Sequence, residues 1–296
     1  MNPFLSEAWL RVMLESGSIS AIEPVELGCG TIHVGVVRAM RQSRWVIYGS
    51  WPEPDDLDLM KLFLQAQKRG AYAVESCFNM ARWPEERMLS VGATILESFG
   101  TFRVDLTRDE KALWMGLEPT HRNKIRRARA LGVEIVPTLH QDCFVAALNS
   151  AYERGGRDNP FHSDYFVTLE RHMSNQMLRL SALVDGRFQA GALILFDPER
   201  GYYLHGAAID HPVTGAANLL HWEAMRILKS RGVAGYDFGG ARRQTEDLRL
   251  QGIFRFKAHF GGRFEPCCYW VKIVHPLRHR FYRVAGWLHD RVLFGS

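Results

Sequence analysis

Between residues 122 and 129 the chain sets Arg122, Lys124, Arg126, Arg127 and Arg129 in its densest positive stretch. Cations at that spacing occupy both sides of a helix and can neutralise several phosphates of a nucleic acid such as a tRNA. A solvated helix face uses the same residue types, so both readings stand. Gly215-Ala-Ala217 opens a helix whose free amides suit a pyrophosphate, although His211-Pro212 precede it without a cation. His205 and Asp210 have the spacing of a base and the carboxylate that orients it, but they end an apolar strand and are set aside. His275 and His279 are four residues apart, with Pro276 between them and no third ligand close in sequence, so no metal site is expected. The Gly-x-Ser-x-Gly pattern of a serine nucleophile does not occur.

These groups need elements to position them. A length of 296 residues with 47% hydrophobic content favours two ordinary cores over one. The pattern reads as helix (4–14), strands (26–37, 44–48), helix (55–68) and strands (71–77, 102–106). Thr107-Arg-Asp-Glu110 is a capping box that starts a helix, which Pro119 interrupts. The basic helix then runs from Thr120 to Gly132, followed by helices over 141–153 and up to 173. Strands are expected at 178–184, 188–196 and 202–209, with Asp185-Gly186 as a hairpin turn between the first two. A helix over 216–231 ends at Gly232, and strands at 234–238 and 263–274 follow. Element order in the second half echoes the first, so a duplicated α/β plan with mixed sheets flanked by helices is expected, with no residue-level repeat.

Two paired patterns carry a resemblance. Tyr236-Asp-Phe-Gly-Gly240 followed by Gly252-Ile-Phe-Arg-Phe-Lys-Ala-His-Phe-Gly-Gly262 resembles the closing strand and Phe-Lys/Gly-Gly signature of the FemA/FemB/FemX family. Thr101-Phe-Arg-Val-Asp-Leu106, with His121-Arg-Asn-Lys-Ile-Arg-Arg-Ala-Arg129 after it, is similar to the segment that joins that family's two halves. The resemblance implies two tandem halves of the GNAT acyltransferase fold, 1–132 with the basic linking helix and 133–275 with the signature, while the tail over 276–296 reads from its own spacing as a basic amphipathic helix. It also implies transfer of an aminoacyl group from aminoacyl-tRNA to an amine of a peptidoglycan precursor or a related acceptor. The family's long helical arm has no counterpart in the heptad pattern, so an acyl-CoA-dependent N-acyltransferase stays open, as does a decayed tRNA-binding protein.

The same resemblance assigns roles. Lys257, paired with Phe256, would stabilise the oxyanion formed when an amine attacks an ester carbonyl, with amides near Gly261 and Gly262 assisting. Glu75, or water, would take the proton of the attacking amine. Arg157 and Tyr165 match an acceptor-binding loop in which a guanidinium can grip a diphosphate, and Asp237 in the closing strand joins the substrate-binding set. An ester or thioester donor is already activated, so no cofactor or metal is required.

Composition bounds the setting. A formal charge of +5 favours phosphate-rich or anionic partners without demanding them. Five cysteines without a CxxC pair read as reduced thiols, the opening residues lack a signal-peptide pattern, and a cytoplasmic protein is expected. In the tail, Leu277, Phe281, Val284, Leu288 and Val292 share one side of a helix, with Arg278, Arg280, Arg283 and Arg291 elsewhere. Docking of that apolar side onto the protein's own domain is the first expectation and contact with an anionic inner membrane leaflet the second.

Overall fold

The computed structural model describes residues 2–28, 30–39, 41–49, 55–77 and 83–282. In chain order the elements of the first part are α1 (Glu7–Glu15), β1 (Ala21–Leu27), β2 (Gly30–Ala39), β3 (Gln42–Ile47), α2 (Asp56–Lys68), β4 (Ala71–Ser76), α3 (Glu85–Ser90) and β5 (Thr94–Asp105). Then come α4 (Glu110–Gly116), α5 (Pro119–Ala130), β6 (Glu134–Val136), α6 (Gln141–Glu153), α7 (Ser163–Met173), β7 (Met177–Val184), β8 (Arg187–Phe196) and β9 (Gly201–Ala208). The last are α8 (Ala216–Ser230), β10 (Gly235–Ala241), α9 (Leu248–Ala258) and β11 (Arg263–Ile273). They form two compact units, one of residues 1–99 with 266–296 and one of residues 100–265, so the division falls earlier than residue 132 and the first unit is completed by the tail. Among the described residues the longest helix is α8, with 15 residues.

In the first unit, β1, β2 and β3 are antiparallel neighbours, β3 and β4 run parallel, and β4 pairs antiparallel with β11. The single strand expected over 26–37 is the arm of a hairpin: Leu27 pairs with Gly30, whose φ of 117° only glycine adopts without strain. Side chains alternate between the faces of this sheet. Trp45, Ile47, Val74, Cys268 and Trp270 form a core with Leu59, Leu62 and Phe63 of α2 and Met88 of α3. Helix α2 starts where Asp55 accepts from the Asp58 amide (2.6 Å), as the acidic cluster before it implies. On the other face Trp9 of α1 packs edge-on against Tyr48, 5.9 Å between centroids.

Residues 276–282 are helical and dock on this unit, but not by the expected side. Arg278 Nη1 donates to the Gly70 carbonyl (2.6 Å), and His279 and Tyr282 stack on Tyr72 at 5.7 and 4.9 Å. Leu277 and Phe281 face outward, 70% and 73% exposed. Stacking and a charge-assisted hydrogen bond outcompeted apolar burial here. The continuation expected through residue 295 lies outside the described residues.

In the second unit, β5 pairs antiparallel with β10, β10 parallel with β9, and β9, β8, β7 and β6 follow as antiparallel neighbours. Asp185 and Gly186 form the β7–β8 turn with φ of 48° and 72°, the two left-handed residues a two-residue hairpin requires. A core of Leu178, Leu180, Ala192 and Ile194 from the sheet meets Ile125, Leu219, Leu220 and Met225 from α5 and α8. Phe144 of α6 and Phe166 of α7 pack together elsewhere in the unit, 5.8 Å apart.

Helix α4 does not begin with the Thr107 capping box. Thr107 donates to Asp105 (2.6 Å) in a turn, and Asp109 caps the helix by accepting from the Ala112 amide at 2.7 Å. Helix α9 was not apparent in the sequence. Gly252 interrupts its interior, and among its residues only Lys257 is buried, so it carries no apolar stripe.

Candidate functional site

Strands β9 and β10 form a fork. They are paired only at Gly201↔Tyr236 and Tyr202↔Asp237, after which both run on with no pairing between them. Each strand carries a bulge just past that point. On β9, Tyr203 pairs with Ile194 and His205 with Leu193, so Leu204 is an extra residue. The slip reverses the alternation beyond it and puts Tyr203 and Gly206 on one face, where any Cβ at position 206 would collide with the Tyr203 hydroxyl. On β10, Asp237 pairs with Arg103 and Gly240 with Thr101, again one residue in excess, and Gly239 takes φ 69°.

Asp237 holds the β10 bulge. It is fully buried; it accepts from Thr101 Oγ1 (2.6 Å) and the Gly239 amide (2.8 Å), and Arg200 Nη1 lies 3.3 Å away. Its contacts are those of a clamp on the strand ending.

Lys257 reaches the fork from α9. Asp247 caps that helix by accepting from the Arg249 and Leu250 amides (2.8 and 3.3 Å), and the Lys257 side chain is 9% exposed. Its ammonium donates to the Gly240 carbonyl (2.7 Å) and sits 6.0 Å from the centroid of the Tyr203 ring. Behind Tyr203 the His221 ring stands edge-on at 4.6 Å, and His221 Nδ1 lies 2.9 Å from the Tyr236 hydroxyl. Burial first, then Lys257 and His121, push His221 down to about 3, so the ring is neutral at physiological pH. Burial lifts Tyr203 up to about 12, which keeps its phenol protonated.

Phe256 packs its ring against His121, His221 and Phe260 at 5.4, 5.6 and 5.3 Å. His121, on the buried side of α5, lies with Nε2 3.1 Å from the Phe256 carbonyl, which as acceptor fixes the proton on that nitrogen. Burial, with His259 nearby, depresses His121 to about 4. The basic helix therefore braces α9 through its inner face.

Its outer face holds fewer free cations than the sequence density suggests. Arg122 closes the end of α4 by donating to the Met115 and Leu117 carbonyls (3.0 and 2.5 Å), and Arg129 pairs with Glu223 at 2.8 Å. Arg126 lies 5.5 Å over the Trp114 ring. Lys124 and Arg127 are exposed.

Gly261 and Gly262 form the turn into β11. Gly261 adopts φ 76°, its amide donates to Ala258 (3.2 Å), and a Cβ there would meet the Gly116 carbonyl. A Cβ at Gly262 would lie 2.9 Å from the Arg103 carbonyl, so both glycines permit close backbone packing. Tyr165 is buried with its hydroxyl 2.9 Å from His205 Nε2, and the Phe161 ring lies 4.4 Å from that imidazole. Arg157 is exposed and lies 5.5 Å over the Tyr152 ring. At the start of α8, a Cβ on Gly215 would strike the Lys124 carbonyl, so the backbone of α5 stands against that helix end.

Glu75 belongs to the first unit, on the same sheet face as Val46 and Val271. Burial raises its pKa, partly offset by Arg44, whose Nε is 3.2 Å from the carboxylate. Burial and then Glu75 push Cys77 and Tyr269 each up to about 12. A partly buried carboxylate with a raised pKa is suited to accepting a proton. Among the described residues no His, Cys, Asp and Glu cluster could hold a metal, and no helix is long and apolar enough to cross a membrane.

Sequence reasoning missed Tyr203, His221 and Tyr236. Their signal was polar residues inside apolar segments, which the fork alone makes meaningful.

The fold has counterparts among known proteins. Residues 119–257 match the acetyltransferase (GNAT) domain family, a span that begins with α5 and ends on Lys257. Over 94% of each chain the structure is similar to FemX, with a TM-score of 0.72 at 13% identity. It is also similar to the C-terminal domain of a lysylphosphatidylglycerol synthetase candidate from Agrobacterium fabrum (TM-score 0.58, 17% identity, 84% of this chain and 83% of that one). L-PGS from Bacillus licheniformis gives a TM-score of 0.57 at 11% identity over 92% of this chain and 93% of that one. No curated protein matches in sequence. The fold is FemX-like and of the GNAT acyltransferase type.

Proposed function

We propose that this FemX-like chain is an acyltransferase that moves an aminoacyl group from an aminoacyl-tRNA ester to an amine, forming an amide. The acceptor is a peptidoglycan precursor or a related peptide or small molecule. The observation that carries this reading is the buried Lys257 ammonium at the opening of the β9–β10 fork. In the reaction the neutral amine attacks the ester carbonyl, a C–N bond forms, and the carbonyl oxygen becomes anionic. Lys257 donates to that oxygen in a site where low dielectric strengthens the interaction. The C–O bond to the ribose then breaks and the ribose oxygen leaves protonated. The proton lost by the amine passes through water to the departing ribose oxygen.

Two features favour a tRNA donor. Exposed Lys124 and Arg127 extend from α5, the helix that braces α9, and can contact phosphate. The Lys124 carbonyl stands against the first turn of α8, an unfavourable neighbour for the diphosphate of a coenzyme A. The acyl-CoA alternative is supported by the acetyltransferase match itself.

The test is binding of the purified protein to bulk aminoacylated tRNA and, in parallel, to acetyl-CoA, each across a salt titration. The tRNA reading expects log K to fall with log salt by about 0.7–0.9 per phosphate neutralised. Binding of acetyl-CoA without tRNA affinity would replace it with the acyl-CoA reading.

A further inference from the structure

The helix at residues 276–282 is docked by one face and leaves the other bare. Arg278 on Gly70, together with His279 and Tyr282 on Tyr72, sets its rotation. That rotation turns Leu277 and Phe281, one turn apart, into solvent at 70% and 73% exposure. At about 3.6 residues per turn, Arg280 lies beside the Leu277–Phe281 edge, on the side away from the docked Arg278. No acidic residue occurs from 276 to 289, and Arg280 is exposed. An outward apolar edge beside an exposed arginine, on a stretch without acidic residues, fits a helix lying on an anionic bilayer, with Leu277 and Phe281 in the acyl boundary and the Arg280 guanidinium at headgroup phosphates.

We infer that residues 276–282 form a peripheral docking surface for an anionic lipid bilayer. The inference is independent of the donor and the acceptor, because it rests on the first unit alone. The experiment is co-sedimentation of the full chain with vesicles of phosphatidylglycerol and phosphatidylcholine, and with phosphatidylcholine alone. The wild type sediments with the anionic vesicles and is released by salt. Leu277→Glu/Phe281→Glu lowers the bound fraction about tenfold or more, since both apolar anchors are lost and two like charges added. Arg280→Glu, which leaves the packed face untouched, lowers it by a smaller factor. Met60→Glu/Leu64→Glu, on the exposed side of α2, leaves it unchanged. Failure of the wild type to bind, equal binding to neutral vesicles, or equal binding by both the double variant and Arg280→Glu would each overturn the inference. Binding to soluble tRNA or acetyl-CoA reads the transfer site separately, so either proposal can fail alone.

Discussion

Among the described residues each unit contains one parallel strand pair joined through a helix, β3–α2–β4 in the first and β9–α8–β10 in the second, and the two pairs have different fates. The first stays zipped from Ser43↔Ala71 to Ile47↔Ser76, with its slip at the entry, between Ser43 and Arg44. The second stops after two residue pairs, with a bulge on each strand beyond the stop. A zipped pair spends its backbone groups on the sheet. A forked pair releases them, and here a buried ammonium is delivered to the opening. The same supersecondary plan thus stays closed in one unit and opens beside a buried ammonium in the other.

Four experiments sharpen or break this contrast. Removing the ammonium should have the largest effect: Lys257→Ala lowers kcat about 100-fold, about 2.7 kcal/mol, at unchanged far-UV circular dichroism. A loss within a few-fold would remove the oxyanion assignment. The second uses pH. His205 and His221 are buried with pKa pushed down to about 3 from 6.5, so the folded state holds them neutral while the unfolded chain binds protons first. Stability is therefore full above pH 6.5 and declines as pH falls toward the depressed values. The decline approaches about 1.4 kcal/mol per pH unit for each proton, read from urea midpoints at several pH values. His221→Phe should flatten that dependence, and an unaltered slope would contradict it. Third, Gly206→Ala drives a methyl into the Tyr203 hydroxyl and costs about 1 kcal/mol or more by overpacking; kcat/KM should fall by about fivefold or more. The smallest effect belongs to the zipped pair. Ser76→Ala removes the acceptor of the Trp270 amide (3.1 Å), which lowers stability by about 1 kcal/mol and leaves kcat in place.

What could be read in advance divides along physical lines. The β7–β8 hairpin was legible because Asp185-Gly186 supplies the two left-handed residues that turn needs. Helix α8 was legible from its apolar spacing and from Gly232, at φ 78°, just past its end. Those signals are local. The β9 bulge at Leu204 is a matter of register with β8 and has no residue signature of its own. Helix α9 buries one side chain, and that side chain is a lysine, so periodicity could not find it. Lys257 itself was singled out through a pattern of neighbours, whereas its partner, the Gly240 carbonyl, is a backbone group that no residue type encodes. The tail shows the converse failure: its apolar stripe was visible, but the side that docks was set by Tyr72, some two hundred residues earlier.

The discontinuity of the first unit bears on the order in which the protein matures. Residues 100–265 are contiguous, so every strand of the second unit is in hand once that stretch has left the ribosome. The first unit starts earlier, yet its core needs Cys268, Trp270 and Val274, which emerge only afterwards. Nascent domains usually fold from the N-terminus onward. In this chain the unit synthesised first is completed last, and until then the apolar faces of β4 and α2 wait for a strand that has not yet been made.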